Sequence, residues 1–357
     1  MLGHEKYMQR CIELAQLGTG NVSPNPMVGA LIVHNDIIIG EGYHEKFGHA
    51  HAEVNAIKSV LSRYDDAETL LKSSTIYVTL EPCSHFGKTP PCSDLIIKHG
   101  IPKVVIGSSD PFEEVNGRGV RKLKEAGIEV ILGVLNNECN FLNRRFFTRV
   151  KKQRPYIILK WAQTSDHYFA PGNGSQQWIS SPPAKILTHQ WRTEEDAILV
   201  GKNTALIDNP QLNVREVDGR NPVRIVIDRN LELPTHLYLF DFSQETIVFN
   251  AKKTAIDRNI KYLELEDFDN ILPQLICYQL FLMDIQSIII EGGAKTLNLF
   301  INAGLWDEAR IFTAPDRWEK GIEAPEIQGE ILNKQKIGTD TLQILMQTSP
   351  DNRSINK

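Results

Sequence analysis

The sequence predicts an α/β protein of two domains, and three observations support this prediction. Its 357 residues are enough for two domains that each bury a core of their own. A predicted β-hairpin near the start is followed by alternating helices and strands, which is typical of a mixed α/β/α sandwich. A second series of strands and helices begins at Pro155. We therefore expect a first domain over residues 1–148 and a second over residues 154–345.

The elements of the first domain follow from hydrophobic spacing and from turn residues. Tyr7, Cys11 and Leu14 are spaced to share one face of a helix. A polar stretch, His34 to Asp36, turns the chain between two β-rich segments. The predicted elements are helix 4–17, strands 28–33 and 37–40, helix 52–63, strand 75–80, helix 91–99, strand 104–106, helix 118–126 and strand 128–132.

A locally basic stretch separates the two series of elements. We interpret residues 136–154 as a solvated helix that connects the domains; nucleic-acid binding by residues 143–154 is the alternative. The predicted elements of the second domain are strand 155–160, helix 182–195, strands 197–201, 223–228 and 246–250, helix 270–283, strand 287–290, a helix after Gly293 and strand 308–313. The tail carries no clear pattern.

Composition excludes several classes of protein. A hydrophobic fraction of 41% and a charged fraction of 23% are typical of a soluble globular protein. No apolar run approaches the ~18 residues that a membrane helix needs, and the first residues do not resemble a signal peptide. The net charge of −5, without a basic excess in either half, disfavours a nucleic-acid binder. The five scattered cysteines indicate a cytoplasmic protein without disulfides.

One group of residues predicts a catalytic zinc site. His51 precedes a predicted helix, Cys83 follows a predicted strand, and Cys92 opens another predicted helix, whose dipole should lower the pKa of its thiol. Zinc binds imidazole nitrogen and thiolate sulfur, and a catalytic site leaves its fourth position open. Glu53, two residues after His51, remains as the proton carrier. Zinc deaminases share the pattern H-x-E…P-C-x-x-C, of which this wider cysteine spacing is a variant.

Other interpretations of these residues stay open at this point. The cysteines are also compatible with a structural zinc site or with two buried thiols, and His-x-Glu pairs are common on helix surfaces. Asn25, held between two prolines, is either a contact to a heterocycle edge or a turn residue. Gly292 and Gly293 stand between a strand and a helix, where they suit an anion site or close strand–helix packing equally well.

Longer motifs resemble the family of bifunctional riboflavin-biosynthesis deaminase–reductases, over nearly the whole chain up to about residue 315. The motifs are HAEV at 51–54, TLEPCSHFGKTPPC at 79–92, SPNP at 23–26, DP at 110–111, GRG at 117–119, Lys160, QWI at 177–179, DNPQL at 208–212 and EGG at 291–293. The resemblance implies a cytidine-deaminase-like first domain and a dihydrofolate-reductase-like second domain.

The resemblance also implies two consecutive reactions. In the first, zinc hydroxide attacks C2 of 2,5-diamino-6-(5-phosphoribosylamino)pyrimidin-4-one while Glu53 moves protons. In the second, NADPH delivers a hydride to C1′ of the opened ribosyl group, which becomes ribityl. The implied cofactors are one Zn²⁺ in the first domain and NADPH in the second.

Site residues of the second domain are assigned by position in the resemblance. Arg192 and Arg215 suit a phosphate clamp because guanidinium groups bind phosphate bidentately. The implied substrate contacts are Lys160, Gln176, Arg192, Leu212, Arg215 and Glu291. The implied NADPH contacts are Ala162, Trp178, Thr204, Asp208, Gly293, Ala294, Lys295, Thr296, Leu297, Asn298 and Leu299.

Two positions depart from the family pattern. The family usually has Ser-Leu-Asp-Gly after the first strand of the reductase domain, whereas this chain has a histidine, His167, at the fourth position. We expect this residue to change the turn or the approach of the cofactor. After Asp228 the family often has serine, and this chain has Arg229. This arginine either pairs with the 2′-phosphate of NADPH or marks a weakened cofactor site.

Two rival functions come from other classes. One is a deaminase of nucleic-acid bases with an accessory recognition domain, which the charge balance and the wide cysteine spacing disfavour. The other is a non-catalytic zinc protein that senses a flavin precursor, which Glu53 disfavours because metal binding does not need it. We expect a phosphorylated small-molecule pyrimidine as substrate, no nucleic-acid or membrane partner, and a homodimer or higher homo-oligomer.

Overall fold

The chain divides into two compact units. A computed structural model describes residues 2–84, 90–111, 117–172 and 177–348. The first unit is Met1–Gln153 and the second is Arg154–Lys357. In the part of the chain that the structure describes, no helix is both long and apolar enough to cross a membrane.

The first unit contains a five-stranded sheet in the order β2-β1-β3-β4-β5. Asn35 and Asp36 both have positive φ, 47° and 62°, as a tight two-residue hairpin turn between β1 and β2 requires. Strand β3 runs antiparallel to β1 and parallel to β4, which in turn runs parallel to β5. The elements are α1 (Leu2–Gln16), β1 (Gly29–His34), β2 (Ile37–Tyr43), α2 (Ala52–Leu61), α3 (Ala67–Leu71), β3 (Thr75–Leu80), α4 (Cys92–Lys98), β4 (Lys103–Ser108), α5 (Arg118–Glu125), β5 (Glu129–Leu132), α6 (Asn136–Leu142) and α7 (Arg144–Lys152).

Helices cover both faces of this sheet, which confirms the predicted three-layer sandwich. Alternation along β3 shows the two faces. Ile76 and Val78 are buried with residues of α2, α4 and α5, whereas Tyr77 is buried with residues of α1 and α6. Gly42 brings β2 against the start of α2, because a Cβ atom there would lie 2.3 Å from the backbone nitrogen of Ala56. This contact fixes the helix that carries the predicted His-x-Glu pair.

The prediction of one solvated connecting helix over residues 136–154 is wrong. The segment forms α6 and α7, and both helices belong to the first unit. Cys139 is fully buried in the core on the α1 face of the sheet, and Phe147 and Thr148 of α7 are buried as well. The many basic residues of this segment indicate a solvated surface, but the apolar residues between them pack into the first unit.

The second unit contains a ten-stranded sheet in the order β11-β12-β10-β9-β8-β13-β6-β14-β17-β16, and β7 pairs separately with β15. From β12 to β14 neighbouring strands are parallel. The elements are β6 (Tyr156–Gln163), β7 (Tyr168–Ala170), α8 (Pro182–Glu194), β8 (Ala197–Gly201), α9 (Lys202–Asp208), β9 (Val223–Ile227), a 3-10 helix (Tyr238–Phe240), β10 (Thr246–Asn250), β11 (Ala255–Asp257), β12 (Ile260–Glu264), α10 (Leu272–Leu282), β13 (Ser287–Ile290), α11 (Ala294–Asn302), β14 (Glu308–Thr313), β15 (Ile322–Glu323), β16 (Glu330–Ile337) and β17 (Asp340–Met346).

The parallel part of this sheet brings several predicted site residues to one edge. Carboxyl ends of parallel strands meet at the same edge of a sheet, where ligands of open α/β sheets bind. Strands β6, β13 and β8 are direct neighbours. Their carboxyl ends lead to Ala162, Glu291 and Gly201. The antiparallel hairpin of β16 and β17, which the sequence did not predict, extends the sheet beyond β14.

Candidate active sites

Three side chains of the first unit meet at the positions predicted for zinc ligands. His51 is the N-cap residue of α2, Cys83 follows β3, and Cys92 is the first residue of α4. The Nδ1 atom of His51 lies 3.7 Å from Sγ of Cys83 and 3.4 Å from Sγ of Cys92. All three candidate ligand atoms lie within 4.8 Å of one another. Around a tetrahedral zinc ion such atoms lie about 3.5–3.8 Å apart, so the cluster has the size and the donor set of a zinc site.

The two thiols of this cluster differ in acidity. Hydrogen bonding from Cys92 lowers the pKa of Cys83 to about 4, and His51 acts in the same direction. The backbone N–H of Cys92 also donates to Sγ of Cys83, at 3.3 Å. The hydrogen bond to Cys83, together with almost complete burial, raises the pKa of Cys92. The predicted lowering of its pKa by the helix dipole is therefore outweighed. Cys83 is therefore the thiol of the pair that ionises first.

The predicted proton carrier lies against the cluster. Glu53 is the second residue of α2, it is 3% exposed, and its carboxyl group is in hydrogen-bonding contact with the Cys92 thiol. Burial raises the pKa of Glu53 to about 7. A carboxyl group that exchanges its proton near neutral pH is suited to general acid–base catalysis.

A histidine that the sequence analysis did not single out supports the predicted substrate contact Asn25. Nδ1 of His44 lies 3.0 Å from the carbonyl oxygen of Ala50, so this nitrogen carries the proton and donates it. Nε2 is then the acceptor for the side-chain amide of Asn25, at 3.1 Å. The ring of His44 also meets the ring of His51 edge to face, with centroids 5.6 Å apart. His44 thus joins Asn25 to the zinc-type cluster; its position directly after β2 was the only signal in the sequence.

The second unit contains a buried charged cluster at the carboxyl edge of its sheet. The guanidinium of Arg192 forms a two-point contact with the carboxylate of Glu291, with distances of 2.8 and 3.4 Å. Burial opposes ionisation of Glu291, but Arg192 and Lys160 outweigh it and lower its pKa to about 2. Burial lowers the pKa of Lys160, whose ammonium lies 5.9 Å from the centre of the Phe312 ring. Three of the predicted substrate contacts therefore lie together.

A loop after α9 brings a further predicted residue towards this cluster. The guanidinium of Arg192 donates to the carbonyl oxygen of Asn213 at 3.1 Å. The backbone N–H of Arg215 donates to Nδ1 of His189 at 3.3 Å, and the Arg215 side chain is partly exposed. Burial, followed by the charges of Arg192 and Arg215, lowers the pKa of His189 to about 4, so this ring is a neutral acceptor. His189, one turn before Arg192 on α8, was not identified from the sequence.

The remaining predicted substrate contacts differ in their placement. The side chain of Leu212 is 2% exposed and packs in an apolar core cluster, so only its backbone is placed to meet a ligand. Gln176 lies outside the described residues.

The predicted cofactor residues lie mainly around the starts of α9 and α11. Gly293 has a φ of 61° and precedes α11, and a Cβ atom there would lie 3.2 Å from Oγ1 of Thr204. Gly292 brings this turn against β8, because its Cβ would lie 2.5 Å from Cα of Val200. Close packing against β8 therefore accounts for Gly292, whereas Gly293 faces α9. Burial raises the pKa of Asp208, the last residue of α9.

Individual members of the cofactor group have different environments. Leu297 is fully buried in the main core of this unit, so its side chain is structural. Thr296 is also buried and approaches Gly201, whose Cβ would lie 2.3 Å from the threonine hydroxyl. Trp178 is 68% exposed, and its ring lies 5.9 Å from the ammonium of Lys185.

The two departures from the family pattern have clear local consequences. His167 adopts a φ of 65°, in the left-handed region that glycine favours. Its Nδ1 lies 3.0 Å from the side-chain amide of Gln163, and its backbone N–H donates to the carbonyl oxygen of Thr164 at 3.0 Å. Arg229 forms an exposed two-point ion pair with Asp269, at 2.5 and 3.0 Å. A cofactor phosphate would have to compete with Asp269 for this guanidinium.

Comparison with known proteins finds one family match in each of the two units. Residues 1–108 match the cytidine and deoxycytidylate deaminase zinc-binding region, and residues 155–316 match the RibD C-terminal domain. The riboflavin biosynthesis protein RibD of Aquifex aeolicus (strain VF5) is 40% identical over 332 residues, which cover 90% of each chain. That of Escherichia coli (strain K12) is 37% identical over 328 residues, 87% of each chain.

Solved structures agree over the full length. The deaminase/reductase of Thermotoga maritima has a TM-score of 0.88 and 36% identity, and the match covers 97% of this chain and 99% of that one. RibD of Acinetobacter baumannii, form 1, has a TM-score of 0.87 and 31% identity, and the match covers 98% of this chain and 99% of that one.

Fold and sites together define a zinc-binding pyrimidine deaminase joined to a reductase domain, which implies a nicotinamide cofactor. The chain belongs to the RibD family of riboflavin biosynthesis and is a bifunctional deaminase and reductase.

Proposed function

We propose that the first unit deaminates 2,5-diamino-6-(5-phosphoribosylamino)pyrimidin-4-one and that the second reduces the ribosyl side chain of the product with NADPH. The observation that carries the proposal is the meeting of His51, Cys83 and Cys92 beside the buried carboxyl of Glu53. A structural zinc site has four protein ligands and needs no such carboxyl. Three ligands and a carboxyl are the composition of a site that activates water.

In the deamination, we assign the metal to Nδ1 of His51 and to the sulfurs of Cys83 and Cys92. When bound, zinc lowers the pKa of water at its open position to near neutrality. Glu53 removes a proton from the attacking water and delivers it to the ring nitrogen. It then takes the proton of the added hydroxyl group and passes it to the amino group, which leaves as ammonia while the C–N bond breaks and the carbonyl forms. Positioned proton transfer of this kind contributes about 10²–10⁴ in rate.

Recognition of the pyrimidine falls to Asn25. Its amide nitrogen is already bound by His44, which leaves the amide oxygen and the second N–H for the ring edge of the substrate. Because His44 is itself held by the Ala50 carbonyl, one residue before His51, the recognising amide and the metal site are fixed relative to each other. This arrangement holds the carbon to be attacked at a constant place.

In the reduction, we assign the phosphorylated sugar to the charged cluster of the second unit. Lys160 and Glu291 supply a buried donor and a buried acceptor for the hydroxyls of the opened sugar chain. Arg192 and Arg215 supply guanidinium donors for the phosphate. Gln176 and the backbone of Leu212 complete this proposed set.

The nicotinamide cofactor is NADPH in this proposal, and it supplies the hydride. The start of α11 offers backbone N–H groups and the dipole of the helix to its phosphates, which supports the assignment of residues 293–299. Thr204 faces Gly293 across this turn, and Asp208 ends the same helix α9. Ala162 and Trp178 complete the proposed cofactor contacts.

The two reactions are tested by incubating the purified protein with the diaminopyrimidine phosphate, with and without NADPH. Ammonia should be released in both cases, and the ribityl product should appear only with NADPH. Release of ammonia from cytidine or from a nucleic acid, but not from this substrate, would contradict the proposal. NADH in place of NADPH tests the choice of nicotinamide cofactor.

A further inference from the structure

The loop that carries Cys83 is tied to a helix that contributes no metal ligand. Glu81, two residues before Cys83, is 4% exposed. Its Oε2 accepts the backbone N–H of Gly117 at 3.1 Å, and its Oε1 accepts that of Val120 at 3.2 Å. A longer contact of 3.5 Å joins Oε2 to the N–H of Asp110. One buried carboxylate thus binds the first turn of α5 and the chain after β4.

A second, independent contact joins the same loop to the same turn. A Cβ atom on Gly119 would lie 2.2 Å from the carbonyl oxygen of Pro82, the residue between Glu81 and Cys83. Only glycine lets the helix approach the loop so closely. The first turn of α5 therefore touches two successive residues of the loop, one through hydrogen bonds and one through backbone packing.

Cys83 is held on its other side by the helix that carries Cys92. The backbone N–H of Ser93 donates to the carbonyl oxygen of Cys83 at 3.2 Å, and the N–H of Cys92 donates to its sulfur at 3.3 Å. The cysteine is thus clamped between α4 and α5. Glu81 supplies the hydrogen bonds of the α5 side.

We propose that Glu81 is a positioning residue that holds Cys83 in place for metal binding; this inference rests on the proposed function of the first unit. A metal bond tolerates only a small displacement of its ligand, about 0.2 Å. Without the carboxylate, the N–H groups of Gly117 and Val120 lose their partner and the loop is free to shift. Removal of a group that orients a metal ligand typically lowers metal affinity by about 10–100-fold.

The test measures the rate at which zinc leaves the purified full-length protein, with a chromophoric chelator as acceptor. Glu81→Gln keeps the size of the side chain but presents an N–H₂ group to one of the backbone donors. We expect zinc to leave about tenfold faster than from the wild type. Glu125→Gln, at the exposed far end of α5, is the control and should leave the rate unchanged.

A second variant separates position from charge. Gly119→Ala keeps the Glu81 carboxylate but forces the loop away from α5 at Pro82, so it should speed zinc loss as well. If only Glu81→Gln has an effect, the carboxylate acts through its charge and the positioning role is wrong. If both variants retain zinc like the wild type, the inference fails while the zinc site stands. If the wild type itself binds no zinc, the proposed function fails first.

Each variant is also checked for folding. Reductase activity on separately supplied deaminated substrate should stay at the wild-type level, because Glu81 and Gly119 belong to the first unit. Thermal unfolding of the metal-free forms measures any general loss of stability. A variant that loses stability without any change in zinc release shows a merely structural role and overturns the proposal.

Discussion

The side chain of Asn143 makes two hydrogen bonds to the backbone of Met27, 116 residues earlier in the chain. Its Oδ1 accepts the N–H of Met27 and its Nδ2 donates to the carbonyl oxygen, each at 2.8 Å. Asn143 is 2% exposed and lies at the junction of α6 and α7. The Asn143 amide thus binds Met27 through one acceptor and one donor, as a neighbouring β-strand would, and these two hydrogen bonds hold the loop that contains Asn25.

The first prediction concerns this pair. Asn143→Leu leaves the two partly buried backbone groups of Met27 without their partners, which costs up to about 1–3 kcal/mol for each group. We expect a lower melting temperature for the first unit and a higher KM for deamination, because Asn25 is no longer held at the substrate. Steady-state kinetics and thermal unfolding measure both effects. Asn137→Leu, at an exposed position of α6, is the control. An unchanged deaminase KM in Asn143→Leu would show that the loop does not depend on this anchor.

The sequence was sufficient to predict the residues whose side-chain type alone indicates their chemistry, such as metal ligands. An imidazole and two thiols suggest a metal wherever they occur, and the order of strands and helices around His51, Cys83 and Cys92 brings them together. Regular elements with strong hydrophobic patterns were also predictable: the predicted bounds of β3 and β14 agree with the structure.

Residues that act through distant contacts were not predictable. Asn143, Glu81 and His189 are ordinary polar residues in the sequence, and their roles depend on backbone groups brought close by the fold. The hairpin of β16 and β17 was missed for another reason. Nearly all of β16 is exposed at the edge of the sheet, so its sequence lacks the alternation that a half-buried strand shows.

The second prediction concerns the proton carrier. Glu53→Gln removes the proton carrier but no proposed metal ligand, so the variant should bind one zinc ion and fold like the wild type. Deamination should slow by at least about 10²-fold, because proton transfer loses its carrier. Ammonia release measures the rate, and metal analysis measures the zinc content. Glu138→Gln, exposed on α6, serves as the control. Deamination by Glu53→Gln at nearly the wild-type rate would remove Glu53 from the mechanism.

The third prediction concerns the independence of the two reactions. The proposed zinc ligands lie before residue 93, and the proposed reductase residues lie in the second compact unit. A chelator should therefore abolish deamination, while reduction of separately supplied deaminated substrate continues, because hydride transfer from NADPH needs no metal. Ammonia release and NADPH oxidation are followed in parallel. If chelation stops both reactions in a protein that stays folded, the assignment of the two activities to separate sites is wrong.

A shortened chain tests the same independence without a chelator. A protein that begins at Arg154 should contain no zinc and should reduce the deaminated substrate. Zinc in this shortened protein would place a metal site in the second unit.

The fourth prediction concerns the phosphate clamp. Arg215→Ala should weaken binding of the phosphorylated reductase substrate by about 1.5–3 kcal/mol, the usual contribution of a charged hydrogen bond. The dephosphorylated analogue should bind the variant and the wild type equally. Arg220→Ala removes the same charge from the same loop, where its guanidinium pairs with Asp196, and should not distinguish the two ligands. If Arg215→Ala weakens both ligands alike, Arg215 does not contact the phosphate.

The fifth prediction concerns the turn at His167. The left-handed φ of 65° costs a residue with a Cβ atom about 1–2 kcal/mol, and glycine avoids this cost. His167→Gly and His167→Ala both lose the contact with Gln163, so that loss cancels when the two variants are compared. The glycine variant should therefore be more stable to denaturant than the alanine variant by about 1 kcal/mol. Equal stabilities would show that the turn relaxes to a different conformation. The KM for NADPH of the glycine variant, compared with that of the wild type, then shows whether the histidine affects the cofactor. A lower KM in the glycine variant would mean that the side chain of His167 obstructs NADPH. An unchanged KM would limit the role of His167 to the turn.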